Sequence, residues 1–502
     1  MVRRVIAFLA FVTFPNRVIA QEHEHASSGE KIGSVHFATS CNDAAQPKFD
    51  RAVAFLHSFE FGSAIKGFES VLAADSTCAM AYWGIALSRW SNPMATGNRT
   101  VAQLTTGRHA VDSALLISPH STDRERQYIA AVGKLYEDFE NTPQATRVAA
   151  YERAMNDVVL QQPADTEAKI FHAISLVAAA SPNDKTYANQ KKAGAILQPL
   201  WEKQPNHPGL AHYLIHTYDY PTLAARGSAA AREYSEIAPS TPHALHMPSH
   251  IFTRTGLWQK SIDANRRSMT AAMSSAAIAE VLHAADYAEY AYLQLGRDSL
   301  AKSIVDQLPG LAAKFDPDAI TGAANGTAGI FALAAIPARY ALEREAWSEA
   351  AALEPEPSAF PFTEAMTYFA RALGAVHVKD LSKARASVDS LAAIRDRLAA
   401  NEQYWSEQVA IQHLAATAWL ELESGNADSA LAHMRQAAMR EDATEKSAIT
   451  PGPLAPAREL LGDMLMKLKR PREALAEYRK TLVKEPNRRR ALAGAARATK
   501  LL

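Results

Sequence analysis

The sequence has few residues of the kinds that shape β-structure, and it carries no net charge. Of its 502 residues, 22 are glycine and two are cysteine, and Lys plus Arg equals Asp plus Glu at 53 each. Because the charges balance, no overall field favours nucleic acid or an anionic membrane, and we expect no nucleic-acid partner. Runs of Val, Ile and Thr bounded by turn residues are scarce, which argues against a β-rich fold.

The apolar content is nevertheless high enough for a well-filled core. Apolar residues make up 48% of the chain, and their spacing, together with abundant alanine, favours helices. After the first twenty residues, no segment reaches eighteen uninterrupted apolar residues. We therefore predict no transmembrane segment once these residues are removed.

The first twenty residues have a different pattern. They begin with the basic "MVRR", continue with the apolar "VIAFLAFVTF" and end with "VIA" before Gln21. This order is typical of a signal peptide, and the apolar run is too short to span a bilayer. We predict a signal peptide at 1–20, a leader or arm at 21–47, and a periplasmic or secreted protein; a buried amphipathic helix is the alternative.

The two cysteines, Cys41 and Cys78, lie 37 residues apart. In an exported protein they would meet an oxidising environment, so we predict that they form a disulfide. Closing a loop of this length stabilises a fold by roughly 3 to 4 kcal/mol. Two separate buried thiols are the alternative, because the sequence does not give the distance between the Cα atoms.

Internal similarity organises the rest of the chain. The clearest copy is "RELLGDMLMKLKRPREALAEYRKTLVKEPN", with Gly462 on one helix, Ala474 and Tyr478 on the next, and Pro486 at the exit. A looser copy is "AVAFLHSFEFGSAIKGFESVLAADS". These segments resemble the tetratricopeptide repeat (TPR), a helix-turn-helix of 34 residues. The resemblance implies an all-α fold, a right-handed superhelical solenoid of TPR-like repeats.

The repeats suggest two arrays. We predict a TPR-like array at 48–352 and a C-terminal TPR-like array at 363–502, separated by the proline-rich "LEPEPSAFPF". A single hairpin cannot bury its own apolar stripe, so neighbouring hairpins must stack. The regularly spaced aromatic and alanine residues are therefore interpreted as core.

A histidine pattern returns within the first array, in the segment 208–290. "PGLAHYLIH" at 208–216 is followed 34 residues later by "PHALHMPSH" at 242–250, so that His212 aligns with His246 and His216 with His250. In the repeat family the first helix of each unit lines the concave surface, and equivalent residues form rows. Residues four apart share a helix face, so each histidine pair should face the same cavity.

A third unit should contribute to the same rows. Counting back from Gly296, which aligns with Gly256, places Asp286 in the row of His212 and His246, and Tyr290 in the row of His216 and His250. We expect the groove to be completed by Asp219, Tyr220, His243, His283 and Tyr290. Pro248 should kink the second histidine helix.

Such a grouping can bind a transition metal. Imidazoles from packed helices can close on one ion, and we name His212, His216, His246, His250 and Asp286 as candidate ligands. Two histidines with a carboxylate suit Fe, whereas an all-histidine set suits Zn, Cu or Ni. The alternatives are hydrogen bonding to a peptide ligand and simple helix packing.

The words around these histidines, "HPGLAHYLIHTYDYP" and "PHALHMPSHIFTRTGLWQKSIDAN", resemble a group of exported bacterial TPR proteins with a histidine-rich centre. The resemblance implies the fold and the importance of the segment, and places Cys41 and Cys78 in the same pattern. It supplies no activity. We expect an exported scaffold whose groove binds a peptide or protein partner; the alternative is a metalloprotein, including a metal-dependent enzyme.

Overall fold

Twenty-four α-helices make up the fold of the computed structural model, which describes residues 29–95 and 97–502. The first eight helices are α1 (Gln46–His57), α2 (Phe61–Ala74), α3 (Ala79–Trp90), α4 (Val101–Ile117), α5 (Asp123–Gly133), α6 (Gln144–Gln161), α7 (Thr166–Ala178) and α8 (Ala188–Lys203). The central helices are α9 (Pro208–Tyr218), α10 (Ser228–Ile237), α11 (Pro242–His246), α12 (Pro248–Arg254), α13 (Trp258–Ser274), α14 (Ile278–Gln294) and α15 (Asp298–Ala312).

The remaining helices are α16 (Gly326–Glu343), α17 (Trp347–Ala352), α18 (Pro361–His377), α19 (Leu381–Leu398), α20 (Gln403–Glu423), α21 (Ala427–Ala443), α22 (Ala457–Lys467), α23 (Pro471–Lys484) and α24 (Arg489–Lys500). Short 3₁₀ turns occur at Ser118–His120 and Ala224–Gly227. The described residues contain no β-strand and no helix long and apolar enough to cross a membrane. The predicted signal peptide, 1–20, lies outside the described residues.

Successive helices pack as hairpins, and the first helix of a hairpin also contacts the first helix of the next, as α14, α16, α18 and α20 do. Turns within hairpins place Gly256 and Gly296 at φ 66°, the left-handed conformation that ends many helices. Where α22 and α23 cross, a Cβ on Gly462 would lie 2.7 Å from the Tyr478 ring. The chain is thus an all-α solenoid of TPR-like helix-turn-helix repeats, as predicted.

Residues Lys31–Leu502 form one compact unit. The segment between α17 and α18 is not helical, but one apolar core includes residues on both sides of it, from Ala279 to Ala498. The solenoid also curls back on itself, because α1 contacts α9 and α14 contacts α24. Helices α9 to α14 therefore lie where the two ends of the stack return to its middle.

The N-terminal arm packs against the helices from residue 31 onward. Phe37 is buried, and the backbone N–H of Ser34 donates to the carbonyl of Asn206 at 2.9 Å. Cys41 and Cys78 are disulfide-bonded, with their Cα atoms 5.1 Å apart. The predicted pairing is confirmed, and it joins the arm to the start of α3.

Candidate metal centre

Six buried histidines gather at the middle of the solenoid. Helices α9 and α11 both begin at a proline, which is tolerated there because the first helical N–H needs no partner. Pro248 interrupts the second histidine segment, so α11 ends at His246 and α12 begins at Pro248. The histidines form two groups, triad A (His212, His216, His243) and triad B (His246, His250, His283), and within each group the candidate ligand atoms lie within 4.8 Å of one another.

Triad B contains two imidazoles whose hydrogen-bond partners fix their protonation. The Nε2 atoms of His246 and His250 are 3.0 Å apart. His246 Nδ1 lies 2.6 Å from Asn265 Oδ1, and Asn265 Nδ2 donates to the Ser261 carbonyl, so Oδ1 is the acceptor. His250 Nδ1 lies 2.8 Å from the Asp219 carboxylate, which also accepts. Both Nδ1 atoms therefore carry the proton, and both Nε2 atoms present lone pairs to each other.

Triad A has a similar arrangement at one of its members. His212 Nδ1 donates to the His57 carbonyl at 2.6 Å, which leaves the lone pair on Nε2, 3.1 Å from His243 Nε2. His216 Nε2 is buried and has no hydrogen-bond partner among the described residues. His243 Nδ1 lies 3.9 Å from the Glu280 carboxylate. An ion between these rings would therefore meet at least one free lone pair.

Burial keeps the imidazoles neutral. Desolvation lowers the pKa of His212 and of His283 to about 3. The same cause lowers the pKa of the other four, most strongly for His216, His243 and His246. A proton shared between two of these rings is thus disfavoured at neutral pH. Neutral imidazole is the form that binds metal ions.

The two triads adjoin. The ring centroids of His243 and His246 are 6.0 Å apart, and those of His216 and His250 are 6.1 Å apart. Phe59 packs on triad A, with its centroid 4.4 Å from that of His212, and Tyr287 packs on triad B, 4.8 Å from that of His250. The six rings therefore form one continuous cluster with an aromatic wall on each side.

Charged groups next to triad B are fully paired. Asp219 lies 2.9 Å from Arg254 Nε and 3.2 Å from Lys446 Nζ, besides its bond to His250. Burial alone would raise the pKa of Asp219, but Lys446, Arg254 and His250 hold it well below the usual value. Burial lowers the pKa of Lys446 to about 8, and Asp219 opposes that shift. Asp219 is thus a carboxylate that orients His250.

Lys446 belongs to a segment between α21 and α22, residues 444–456, that we call the strap. The hydroxyl of Tyr287 donates to the strap carbonyl of Thr450 at 2.9 Å, and Lys185 Nζ lies 2.8 Å from Glu445. The strap crosses the side of the histidine cluster that sequence reasoning treated as an open groove. The centre is therefore buried beneath a strap.

A cavity of about 1000 Å³ reaches the cluster from one side. Its wall includes His216 and Asp219 at the cluster, Tyr220 and Gln190 beside them, and Lys446 from the strap. The described residues thus leave a route from outside to triad A.

A third group supports triad A. The Glu167 carboxylate accepts from His57 Nε2 and from His207 Nε2, both at 2.9 Å. Burial opposes ionisation of Glu167, but His207 and His57 lower its pKa far below the usual value. The hydrogen bonds of this group are satisfied by neutral histidines, apart from His207 Nδ1. Because His57 also accepts from His212, the group positions triad A.

The predicted rows are displaced in the structure. His212 contacts His243, 31 residues on, rather than His246, and His250 contacts Tyr287, 37 residues on, rather than Tyr290. The two separations together equal two repeats of 34, so only the middle helix is shifted, by three residues. The break at Pro248 accounts for the shift, since the count back from Gly256 crosses it.

The shift moves two predicted residues away from the histidines. Asp286 is buried in an ion pair with Arg339. The Tyr290 hydroxyl donates to Glu485 at 2.8 Å and accepts from Arg488 at 2.9 Å. The structure thus corrects the register at these two positions, while it brings His243 and His283, predicted as groove residues, into the triads, and Asp219 and Tyr220 to the cavity.

Sequence reasoning missed four supporting residues: Asn265, Tyr287, Glu280 and Lys446. Tyr287 carried a signal, because it lies four residues after His283 on one helix face. Asn265 and Glu280 lie in ordinary amphipathic helices, and Lys446 reaches Asp219 across 227 residues of sequence. No local pattern marks those three.

No protein-family model matches the chain, and no curated protein matches it in sequence. Among solved structures it is similar to the human IFIT1 dimer with m7Gppp-AAAA, at 12% identity over 84% of this chain and 90% of that chain, with a TM-score of 0.42. It is also similar to yeast Tom70, at 14% identity over 91% and 95%, with a TM-score of 0.39. For Cut9 in the APC/C hetero-tetramer Cut9–Hcn1, the values are 12%, 90%, 76% and 0.37. These similarities carry no information on a ligand.

Proposed function

We propose that the protein is a metalloprotein that binds transition-metal ions at the six-imidazole centre. The observation that carries the proposal is the pair of Nε2 atoms in His246 and His250. Two lone pairs 3.0 Å apart repel each other unless a cation lies between them. Two nitrogens bound to one tetrahedral ion at 2.0–2.1 Å would lie about 3.3 Å apart, close to this separation.

The outer contacts fit the same reading. Metal-bound histidines usually donate their second ring N–H to a carboxylate, a carbonyl or an equivalent acceptor, which fixes the ring and its tautomer. Asp219 serves His250 in this way, Asn265 serves His246, and the His57 carbonyl serves His212. Imidazole-only ligation suits Cu, Zn or Ni, and the absence of a carboxylate from both triads makes Fe less suitable.

Metal analysis of the full chain tests this proposal. The purified protein is stripped with chelator, equilibrated with Cu, Zn, Ni or Fe, freed of unbound metal and analysed by mass spectrometry. We expect stoichiometric metal in the wild type and loss of metal in the His246→Gln/His250→Gln variant. His433→Gln is the matched control, since His433 is half-exposed beside Glu421, away from the centre. Equal metal content in all three proteins, or none in the wild type, would overturn the proposal.

A peptide-binding scaffold is the second candidate. The cavity of about 1000 Å³ has room for a short peptide, and Asn98, Gln144 and Gln190 in its wall carry amide groups that can bond a peptide backbone. Ala180→Trp would fill part of the cavity, whose wall includes Ala180. With a tryptic peptide mixture as probe, wild-type protein should retain peptides that Ala180→Trp loses. Equal retention would contradict a peptide site in this cavity.

We also infer that the protein is exported to the periplasm or beyond. The signal-like 1–20 segment supports this, and so does the disulfide, because disulfides persist in oxidising compartments. Intact-mass analysis of the protein recovered from outside the cytoplasm should give a chain beginning at Gln21. Recovery in the cytoplasm with residues 1–20 retained would contradict export.

A further inference from the structure

We propose that the centre holds a pair of copper ions, one in each triad, and that the pair binds dioxygen between the two ions. The inference rests on the proposed function, since it requires the centre to bind metal. Its first support is geometric. Each triad offers three imidazoles, and the triads adjoin, with ring centroids 6.0 Å and 6.1 Å apart across the border between them.

Charge decides which ions can fill both triads. All six ligands are neutral imidazoles in a buried site. Asp219, the carboxylate bonded to triad B, is already matched by Arg254 and Lys446, and Glu280 is the acidic group beside triad A. Two divalent ions would add four positive charges where the protein supplies no net negative charge, and burying unpaired charge is costly. Two copper(I) ions add half as much, and imidazole is a suitable copper ligand.

Dioxygen supplies the charge that an oxidised pair would need. Each copper(I) ion gives one electron, and the dioxygen molecule accepts both and becomes a peroxide dianion bound between two copper(II) ions. No proton is taken up and no bond to the protein forms or breaks, so charge and electrons balance. The dianion offsets half of the four charges on the two copper(II) ions. A small bridging anion is therefore the ligand that the oxidised centre favours most.

Access to the pair is provided on one side. His216 of triad A lines the cavity of about 1000 Å³, whereas Tyr287 and the strap cover triad B. The Nε2 atom of His216 has no partner in the described part of the chain. Dioxygen can thus reach the border between the triads from the cavity without movement of the helices.

The test loads the stripped full-length protein with copper(I) under anaerobic conditions and then admits a measured amount of dioxygen. We expect two copper ions per chain, uptake of one dioxygen molecule per chain, and loss of the copper(II) paramagnetic resonance signal through coupling of the two ions. In His283→Gln, which removes one ligand of triad B, copper should fall to one ion per chain. That remaining ion should show an ordinary copper(II) signal after oxidation. His433→Gln should behave as wild type.

The outcomes separate the two proposals. Two copper ions that give uncoupled copper(II) signals, or binding of one ion only, would overturn the dinuclear inference and leave the metal-binding proposal standing. Coupled copper without dioxygen uptake by the reduced protein would also overturn it. Failure to retain any copper, zinc or nickel would overturn both. Because His283→Gln leaves triad A intact, its single-copper signal also shows that the variant has folded.

Discussion

Replacing Asn265 by alanine should weaken metal binding at triad B without removing a ligand. The buried Oδ1 of Asn265 accepts from His246 Nδ1 at 2.6 Å. Without it, His246 either buries an unpaired N–H or moves its proton to Nε2, which removes the lone pair facing His250. Loss of such an outer partner costs about 10- to 100-fold in metal affinity, or about 1.4 to 2.8 kcal/mol.

Calorimetric titration of copper or zinc into metal-free protein measures this effect. Ser268→Ala is the matched control, because Ser268 is buried on the same helix and its hydroxyl has no partner among the described residues. Asn265→Asp keeps the acceptor and adds a negative charge near the ion, so it should bind at least as tightly as wild type. Chemical denaturation should show that Asn265→Ala also loses about 1 to 3 kcal/mol of stability. Equal metal affinity for Asn265→Ala and Ser268→Ala would refute the assignment of the proton to Nδ1.

Three further predictions concern stability. Replacing Cys41 and Cys78 by serine should lower the free energy of unfolding by about 4 kcal/mol, because the disulfide closes a loop spanning 37 residues; an unchanged denaturation midpoint would contradict this. Arg488→Ala should cost about 3 to 5 kcal/mol, since it leaves buried Glu459 without its partner; a loss below about 1 kcal/mol would show that the pair is dispensable. Burial raises the pKa of Glu441 from 4.5 to about 7. Between these values the folded state holds a proton that the unfolded state has lost, so stability falls as pH rises, by about 1.4 kcal/mol per pH unit, and Glu441→Gln should stabilise the protein at pH 8 but not at pH 4.5.

The fold and much of the centre follow from the sequence because both rest on local periodicity. The four-residue spacing of His212 and His216 and the opening prolines of α9 and α11 predict two histidine helices, and the TPR-like copies predict that these helices stack. Pro248 was expected to kink the second helix. The three-residue displacement that results could not be obtained by counting, because it depends on how two short helices settle between continuous neighbours.

The strap and the outer contacts depend on tertiary structure. Lys446 meets Asp219 and Tyr287 meets Thr450 only because the solenoid curls until its C-terminal part reaches α14. Curvature accumulates over many repeats from small differences in packing at each one. A sequence pattern of 34 residues therefore predicts each hairpin but not which distant segment covers the histidines.

Anomalous X-ray diffraction from crystals of the metal-loaded protein tests the central claim most directly. Data collected on both sides of the absorption edge of copper, or of the metal found on analysis, locate each ion independently of the protein atoms. We predict anomalous peaks within bonding distance of the Nε2 atoms of His246 and His250, with His283 as a further ligand, and a peak in triad A for the copper-loaded form. A well-ordered centre without any anomalous peak, with His246 and His250 still 3.0 Å apart at saturating metal, would contradict the account.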